Sequence, residues 1–322
     1  MVLMGSLYSY IIENRHLMNK EVPTHIPTLE WPWPPVLERY PDTIVVDQAF
    51  AESLASELRA NQLISGTILL VTDELFLDAG YALNYNDYPE LRPSFPGRYD
   101  IIISADRFDS KGGRINLTGS VGWPPGSLGQ EGKKGDDAEY EPGTPLQGYP
   151  GHSGGDGGEG NVGGKGQNIM IFCEEILNID IISNGGVGAH GGKGGRGGPG
   201  GMGSHGGLGE FKRAPPGNGG WGGKGGPGGM GGSAGKIELS YCNAPNGFVV
   251  SDHLKSAGGL GGAPGGKGDK GAGSDGPAWG NPPGDGDPGV AGISSIPEVN
   301  QLLDPRELKK RVAEALRLPI PE

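Results

Sequence analysis

The sequence has little of what membrane proteins, nucleic-acid binders and most enzymes depend on. Aromatic residues make up 7% of the 322 residues, which leaves little material for a conventional hydrophobic core. We find no run of 18 apolar residues and no cleavable signal peptide, so we expect no membrane span and no recognisable export signal. Acidic residues outnumber basic ones by 38 to 26, which argues against a general nucleic-acid binder.

Glycine and proline, by contrast, are abundant, with 66 and 28 residues. Between positions 185 and 209 almost every third residue carries a large side chain, and nearly all the others are glycine. A polyproline II helix has three residues per turn, so this phase would place the side chains on one face and leave two bare faces for neighbouring chains. Short tracts with two glycines per triplet disfavour a strict collagen triple helix, although the repeat is collagen-like in style. They favour a polyproline II bundle within one chain.

Apolar segments recur at a spacing of 68 residues and are predicted to be strands: 100–105, 168–173 and 236–241. Each is followed by a second β-like stretch, at 114–118, 179–183 and 248–251. Earlier strands are predicted at 43–47 and 67–73, with a helix between them that Asp47 caps and that carries Phe50, Leu54 and Leu58. The pattern predicts strand-turn-strand units from which three glycine-rich excursions leave and return.

The sequence contains two cysteines, Cys173 and Cys242. In the 68-residue alignment Cys173 falls opposite Tyr241, and neighbouring side chains of a strand point to opposite faces. We therefore expect two unpaired, at least partly buried thiols, and the sequence does not demand an oxidising compartment.

These features predict a mostly β fold with polyproline II. Its expected form is a short β-solenoid or stacked-strand platform bearing a bundle of about six glycine-rich polyproline II helices, with one or two short α-helices. An ordinary β-sandwich with long loops is the alternative. The predicted parts are an extended Pro-rich arm (1–41), a β-platform with a short helix (42–118), three glycine-rich polyproline II hairpins alternating with platform strands at about 168–183 and 236–251 (119–292), and a C-terminal linker and helix (293–322).

The places where the glycine repeat breaks are candidate binding tips. The middle excursion, 185–235, is predicted to be an antiparallel hairpin with its tip at 210–216. Aromatic residues beside basic ones are common interface anchors, and the tips carry Tyr140, Phe211, Lys212, Arg213 and Trp279. Plugging the end of the bundle is the alternative role for these residues.

The two ends of the chain are candidate partner-docking elements. Trp31 and Trp33 lie in the Pro-rich arm, which is expected to lie on another surface. Asp304 and the proline after it begin a helix. The apolar stripe of this helix must dock on this chain or on a partner, and it carries Leu308, Val312 and Leu316.

No motif supports catalysis or a metal site. The sequence GHSGG at 151–155 matches a nucleophile elbow, but the strand-to-helix turn that this motif needs is not indicated. The sequence GVGAHG at 186–191 matches a dinucleotide fingerprint, yet triplet glycine cannot form the required helix. The six histidines lack metal-ligand spacing, and Asp285 with Asp287 fits a calcium loop only in part. We therefore expect no enzyme, no metal, no cofactor and no small-molecule substrate.

The glycine excursions between about 119 and 292 resemble, in repeat style, proteins built from polyproline II bundles. These are the glycine-rich receptor-binding adhesins at phage tail-fibre tips and the glycine-rich antifreeze proteins of springtails. Collagen-like glycine-rich regions of large bacterial proteins are more loosely similar. In the adhesins rods form the body and loops at their ends bind the host, so the resemblance implies a rigid scaffold with binding loops. No functional residue carries over.

We expect a non-enzymatic structural and recognition module whose loop tips bind a protein partner or cell-surface receptor, in an extracellular or surface-associated location. The alternative is a subunit of a larger secreted assembly, such as a toxin complex or filament, anchored by the arm and the C-terminal helix, with self-assembly included. Ice binding ranks third because it needs a flat face of small residues. The outward positions of this chain carry Lys193, Arg196, Met202, Trp221 and Lys224.

Overall fold

The computed structural model describes residues 6–18, 35–60, 66–84, 87, 99–139, 146–204, 214–244, 250–269, 272 and 284–318. Within them the chain forms three α-helices: α1 (Leu7–Asn14), α2 (Gln48–Ala60) and α3 (Pro305–Leu316). The same residues form eleven strands: β1 (Pro35–Arg39), β2 (Thr43–Val46), β3 (Gly66–Leu77), β4 (Ala82–Asn84), β5 (Tyr99–Asp109), β6 (Arg114–Asn116), β7 (Ile169–Asn178), β8 (Ile181–Ile182), β9 (Ile237–Asn243), β10 (Leu254–Lys255) and β11 (Glu298–Gln301).

The strands form two parallel sheets. Sheet 1 has seven strands in the order β1-β3-β5-β7-β9-β11, with β2 also paired to β3. Sheet 2 has four strands in the order β10-β8-β6-β4. Every pairing between these strands is parallel. Apart from β2, the neighbouring strands of each sheet also follow the order of the chain.

The fold is therefore α/β, and the predicted fold class is wrong. The chain forms neither a β-solenoid or stacked-strand platform bearing a polyproline II bundle, nor a collagen-like structure, nor the alternative β-sandwich. Two things misled the prediction. Short apolar runs look the same in a buried parallel sheet as in other β architectures. Helix α1, which covers sheet 1 together with α3, was not predicted at all, and it lies within the segment 1–41 that was expected to be an extended arm.

The predicted 68-residue register is confirmed. Ile101 pairs with Ile169, and Ile169 pairs with Ile237. A polar ladder marks the start of these strands: Asn168 Nδ2 lies 3.1 Å from Asp100 Oδ2, and the Lys236 N–H donates to Asn168 Oδ1 at 2.9 Å. The second stretch of the last unit was misplaced, because 250–253 is a 3₁₀ helix and the strand follows at β10.

The prediction for the two cysteines is also confirmed. Cys173 lies opposite Tyr241, one residue out of register with Cys242. Both thiols are free, Cys173 fully buried and Cys242 partly buried. Burial raises the pKa of Cys242 to about 11, so this thiol stays protonated at neutral pH and is a poor nucleophile.

Sheet 1 is buried on both faces. One face packs on α2 and on sheet 2 through residues such as Leu58, Ile103 and Ile181. The other face packs on α1 and α3 through residues such as Leu7 and Phe172. A parallel sheet covered on both sides explains why its strands are almost continuously apolar.

Both predicted helix caps are confirmed. The Phe50 N–H donates to Asp47 Oδ1 at 2.7 Å, so Asp47 caps α2. The Arg306 N–H donates to Asp304 Oδ1 at 2.9 Å, and Pro305 occupies the first turn of α3.

Between the strands, glycine-rich segments run out and back as extended chain that belongs to neither sheet. We call them leg 1 (119–138), leg 2 (148–166), leg 3 (185–204), leg 4 (214–235), leg 5 (257–269) and leg 6 (284–293). Legs 3 and 4 run antiparallel, as expected for the middle excursion: the Gly220 N–H donates to Gly198 O and the Gly226 N–H to Gly192 O, both at 2.8 Å.

The legs form two layers that continue the two sheets. Layer 1 consists of legs 1, 3 and 5, and it continues sheet 2: Leu117 donates to Ile182, and then Gly119 donates to Asn184. Layer 2 consists of legs 2, 4 and 6, and it leads into sheet 1 in the same way. One ladder of backbone hydrogen bonds therefore runs from each sheet into its layer.

Side chains of leg 6 and of Ser294, the residue that follows it, accept hydrogen bonds along the free edge of leg 5. In legs 1 and 3 the N–H groups that point sideways donate to carbonyls of the next leg of the layer. In leg 5 the corresponding N–H groups of Gly258 and Lys267 donate instead to Ser294 Oγ at 3.0 Å and Asp285 Oδ1 at 2.9 Å. Pro264 lies between them and has no N–H.

The layers require glycine where two backbones meet. A Cβ on Gly192 would overlap the carbonyl oxygen of Ser127, whereas a Cβ on Gly266 would meet nothing within 4 Å. We predict that Gly192→Ala lowers the free energy of unfolding by about 1–3 kcal/mol, since backbone atoms must move. Gly266→Ala should stay within about 0.5 kcal/mol of the parent. Thermal denaturation followed by circular dichroism measures both, and equal melting temperatures for the two variants would contradict the packing described.

Candidate interaction surface

The predicted tip and arm residues lie outside the described residues. These are Tyr140, Phe211, Lys212, Arg213, Trp279, Trp31 and Trp33. The stripe of α3 is described: Leu308, Val312 and Leu316 are fully buried against sheet 1 and α1. The sequence left open whether α3 docks on this chain or on a partner, and the structure shows that it docks on this chain.

The three residues of each triplet in a leg point in three different directions. In leg 3 the Gly188 N–H donates sideways to Leu260 O of leg 5, and the Ala189 N–H donates across to Asn161 O of leg 2. The third residue, His190, is exposed. The same alternation of two buried residues and one exposed residue continues through Met202. One residue in three is therefore available on the outer face of each layer.

We call the outer face of layer 1 face 1 and that of layer 2 face 2. Residues that face outward at the same height on neighbouring legs form a level. One level of face 1 is apolar, because hydrogen bonds from Gly122 to Val187 and from Gly188 to Leu260 set three exposed side chains side by side. Their exposed fractions are 66% for Val121, 41% for Val187 and 70% for Leu260.

Face 2 carries an apolar level of its own. Hydrogen bonds from Gly163 to Met230 and from Gly231 to Val290 align Val162, Met230 and Val290, which are 53%, 50% and 68% exposed. The two apolar levels lie at the same height on opposite faces. Gly232 donates to Gly186 and Gly229 donates to Ala189, so Met230 lies within one residue of Val187 along the legs.

The sequence alone does not reveal these levels, because their members come from distant parts of the chain. The triplet phase predicts five outward side chains, of which Lys193, Arg196, Met202 and Lys224 are exposed and Trp221 is half-buried. A usable signal existed for one pair, since Val162 and Met230 are 68 residues apart, the period of the strands. The other steps differ from that period because the excursions differ in length.

Charged side chains follow the apolar levels toward the tips. On face 1, Lys193 Nζ lies 3.1 Å from Asp269 Oδ2 on the neighbouring leg. On face 2, Lys224 Nζ lies 3.6 Å from Asp287 Oδ2, and its N–H donates to Asp156 Oδ1. These pairs are exposed, and they contribute more to the pattern of charge than to stability.

We call the two sheets, with the helices that pack on them, the framework. A partly open cavity of about 260 Å³ lies on it, lined by Glu74, Leu75, Phe76, Arg107, Asp109 and Lys111. Its cations have partners within the protein. Arg107 lies 3.5 Å from Glu74 Oε1 and 3.7 Å from Glu175 Oε2, and Lys111 Nζ lies 3.6 Å from the centre of the Phe76 ring. The two basic side chains that line the cavity are therefore already in contact with other groups of the protein.

A row of carboxylates crosses sheet 1 at the start of α1. The Leu7 N–H donates to Glu174 Oε1 at 2.9 Å, and the Tyr8 N–H donates to Asp106 Oδ1 at 2.8 Å. Asp73 lies beside Asp106 on the next strand. Negative charge at a helix N-terminus satisfies free N–H groups and the helix dipole, so this row holds α1 on the sheet.

Two carboxyl groups of this row, Asp73 and Asp106, have raised pKa values. Burial, and then the charge of Asp106, raises the pKa of Asp73. Burial raises the pKa of Asp106 as well, although the N–H of Tyr8 opposes this rise. When Asp73 is protonated, its O–H can donate to the Asp106 carboxylate, whose oxygen accepts from the Tyr8 N–H of α1.

Across the described ranges, none of the helices is both long and apolar enough to cross a membrane. In the same part of the chain, no group of three or more His, Cys, Asp or Glu side chains is arranged to hold a metal ion. No family model matches the chain, and no curated protein is significantly similar to it.

We predict that Asp73→Asn stabilises the protein increasingly as pH rises from about 4 to 7. A raised folded pKa means that the bound proton supports folding fully below the unfolded value of 3.8, and that this support is lost as pH rises through the folded pKa. Asparagine keeps a donor toward Asp106 and cannot ionise. Melting temperatures measured against pH should diverge in favour of the variant. Asp136→Asn, an exposed carboxylate on leg 1, is the control, and a difference for Asp73→Asn that does not vary with pH would contradict the assignment.

Proposed function

We propose that the protein is a non-enzymatic structural and recognition module, a rigid glycine-rich scaffold that presents side chains for protein–protein or cell-surface binding. The observation that carries the proposal is the pair of outer faces, each with an exposed apolar level. Contiguous exposed apolar side chains rimmed by charge are characteristic of interaction sites.

The backbone network supports the scaffold part of the proposal. Legs are joined to their neighbours by an N–H···O bond at every third residue, within a layer and between layers. Each such bond contributes a net of about 0.5–1.5 kcal/mol, which is small, but the bonds recur along all six legs. Chains tied on several sides keep the outward side chains at fixed spacings, which a binding surface requires.

The structural contacts of the charged side chains in the framework support the proposal that the protein is not an enzyme. Asp106 and Glu174 hold α1, Asp100 holds Asn168, and Arg114 Nη2 lies 2.7 Å from Asp180 Oδ2. These groups are occupied in structural contacts. The tip residues Tyr140, Phe211, Lys212, Arg213 and Trp279 remain part of the proposal as further contact points beyond the faces.

A subunit of a larger assembly is the second candidate function. The observation that favours it is the placement of apolar levels on opposite faces at the same height, so a module can contact one neighbour on each side. The faces, together with the arm that carries Trp31 and Trp33, replace α3 as the anchors, since the apolar stripe of α3 is buried in its own chain.

Photo-cross-linking in the cells that produce the protein tests the proposal. We would place p-benzoylphenylalanine at position 187 on face 1, at position 230 on face 2, at the tip positions 140, 211 and 279, and at the exposed position 252 of the framework as a control. We expect adducts from at least one face or tip position and none from the control.

The mass of the adducts separates the two functions. An adduct with a different protein supports recognition, and one with twice the mass of the chain supports an assembly subunit. Labelling of the control to the same extent as the faces and tips, or no adduct from any of these positions, would contradict the proposed function.

A further inference from the structure

Among the described residues, no helix packs on face 1 or on the outer side of sheet 2, whereas helices cover the outer side of the sheet that layer 2 joins. Layer 1 continues sheet 2, and on the outer side of that sheet Arg114 and Lys255 are exposed. Layer 2 leads into sheet 1, whose outer side is covered by α1 and α3. A flat partner can therefore lie along face 1 and the adjoining sheet without meeting a helix.

We propose that face 1 is a dimer interface and that its occupant is a second copy of this chain. The two copies are related by a two-fold axis that runs parallel to the legs, between leg 3 and leg 5. This inference rests on the proposed function above and names the partner of one face. Such an axis keeps every level opposite itself and lays leg 3 of each copy over leg 5 of the other.

The outward side chains of legs 3 and 5 complement each other in size. Level by level, the pairs are Val187 with Leu260, His190 with Ala263, Lys193 with Gly266, and Arg196 with Asp269. The first pair is apolar on both legs, and its members are 41% and 70% exposed in the single chain. At the next two levels a long side chain of leg 3 meets a residue with little or no side chain. The two surfaces can therefore interdigitate.

Charge restricts the position of the axis. With the axis between legs 3 and 5, Arg196 of each copy faces Asp269 of the other. Asp269 already lies 3.1 Å from Lys193 of its own chain, so its carboxylate would accept from two cations. An axis through leg 3 itself would set Arg196 against Arg196 and Lys193 against Lys193, which like charge disfavours. Lys267 occupies a sideways position of leg 5, away from these pairs.

The area available predicts a weak dimer. Leg 5 spans 257–269, about 40 Å at roughly 3 Å per residue, and two legs are about 10–15 Å wide. Together with sheet 2 this buries about 1,000 Å² in total, at the low end of specific interfaces. We therefore expect dissociation in the micromolar range.

Sedimentation of the purified full chain from roughly 1 to 100 μM tests the inference. The parent chain should shift from monomer to dimer. Arg196→Glu alone and Asp269→Arg alone should each raise the dissociation constant by at least about tenfold, because both symmetric contacts become repulsive. An equimolar mixture of the two variants should dimerise again, because the introduced glutamate of one copy then faces the introduced arginine of the other. A contact within one chain could not be restored by mixing.

Two further variants serve as checks. Val187→Ser removes an apolar contact at an exposed position and should weaken the dimer, whereas Met230→Ser on face 2 should not. The inference is overturned if the parent stays monomeric throughout this range, if mixing folded variants fails to restore the dimer, or if Met230→Ser acts like Val187→Ser. A monomer that still cross-links a different protein at position 187 would leave the proposed function standing.

Discussion

The layered part of the molecule depends on one constraint, the approach of backbone to backbone at distances that leave no room for a Cβ. At Gly192 the space that a side chain would need is filled by the carbonyl oxygen of Ser127, and at Gly226 it is filled by that of Gly158. Those carbonyls are acceptors in the same network, since the Gly158 N–H donates to Ser127 and the Gly192 N–H donates to Gly158. Glycine therefore lets backbone hydrogen bonds stabilise the layers. So few aromatic residues could not stabilise them through a hydrophobic core.

The framework and the layers are stabilised by different interactions. In the framework, apolar side chains on both faces of sheet 1 are buried, and polar groups such as Asp106 and Glu174 fix a helix to it. In the central legs 3 and 4 two residues of each triplet hold neighbouring legs, and the third carries its side chain outward. The outer faces can therefore vary in sequence with little effect on folding, which suits a surface for recognition.

Several parts of this arrangement could be predicted from the sequence because they depend on local or periodic signals. The 68-residue register, the caps Asp47 and Asp304, the unpaired cysteines and the outward phase of Lys193 all follow from spacing. The α/β class could not be predicted, because short apolar runs do not reveal the parallel pairing of strands and α1 has no strong signal. The apolar levels escaped because residues such as Val121 and Leu260 meet only through the register of intervening legs.

Ser294 and Asp285 occupy the edge of leg 5 at which a further leg of layer 1 would have to pair. These side chains accept the N–H groups that would otherwise await the carbonyls of another leg. The ladders themselves contain no stop, since each unit presents to the next the same donors that it meets in the one before. The number of legs in layer 1 therefore depends on where these two acceptors occur along the chain. A broader relative could arise by duplicating a strand-and-leg unit ahead of them, with no redesign of the existing units.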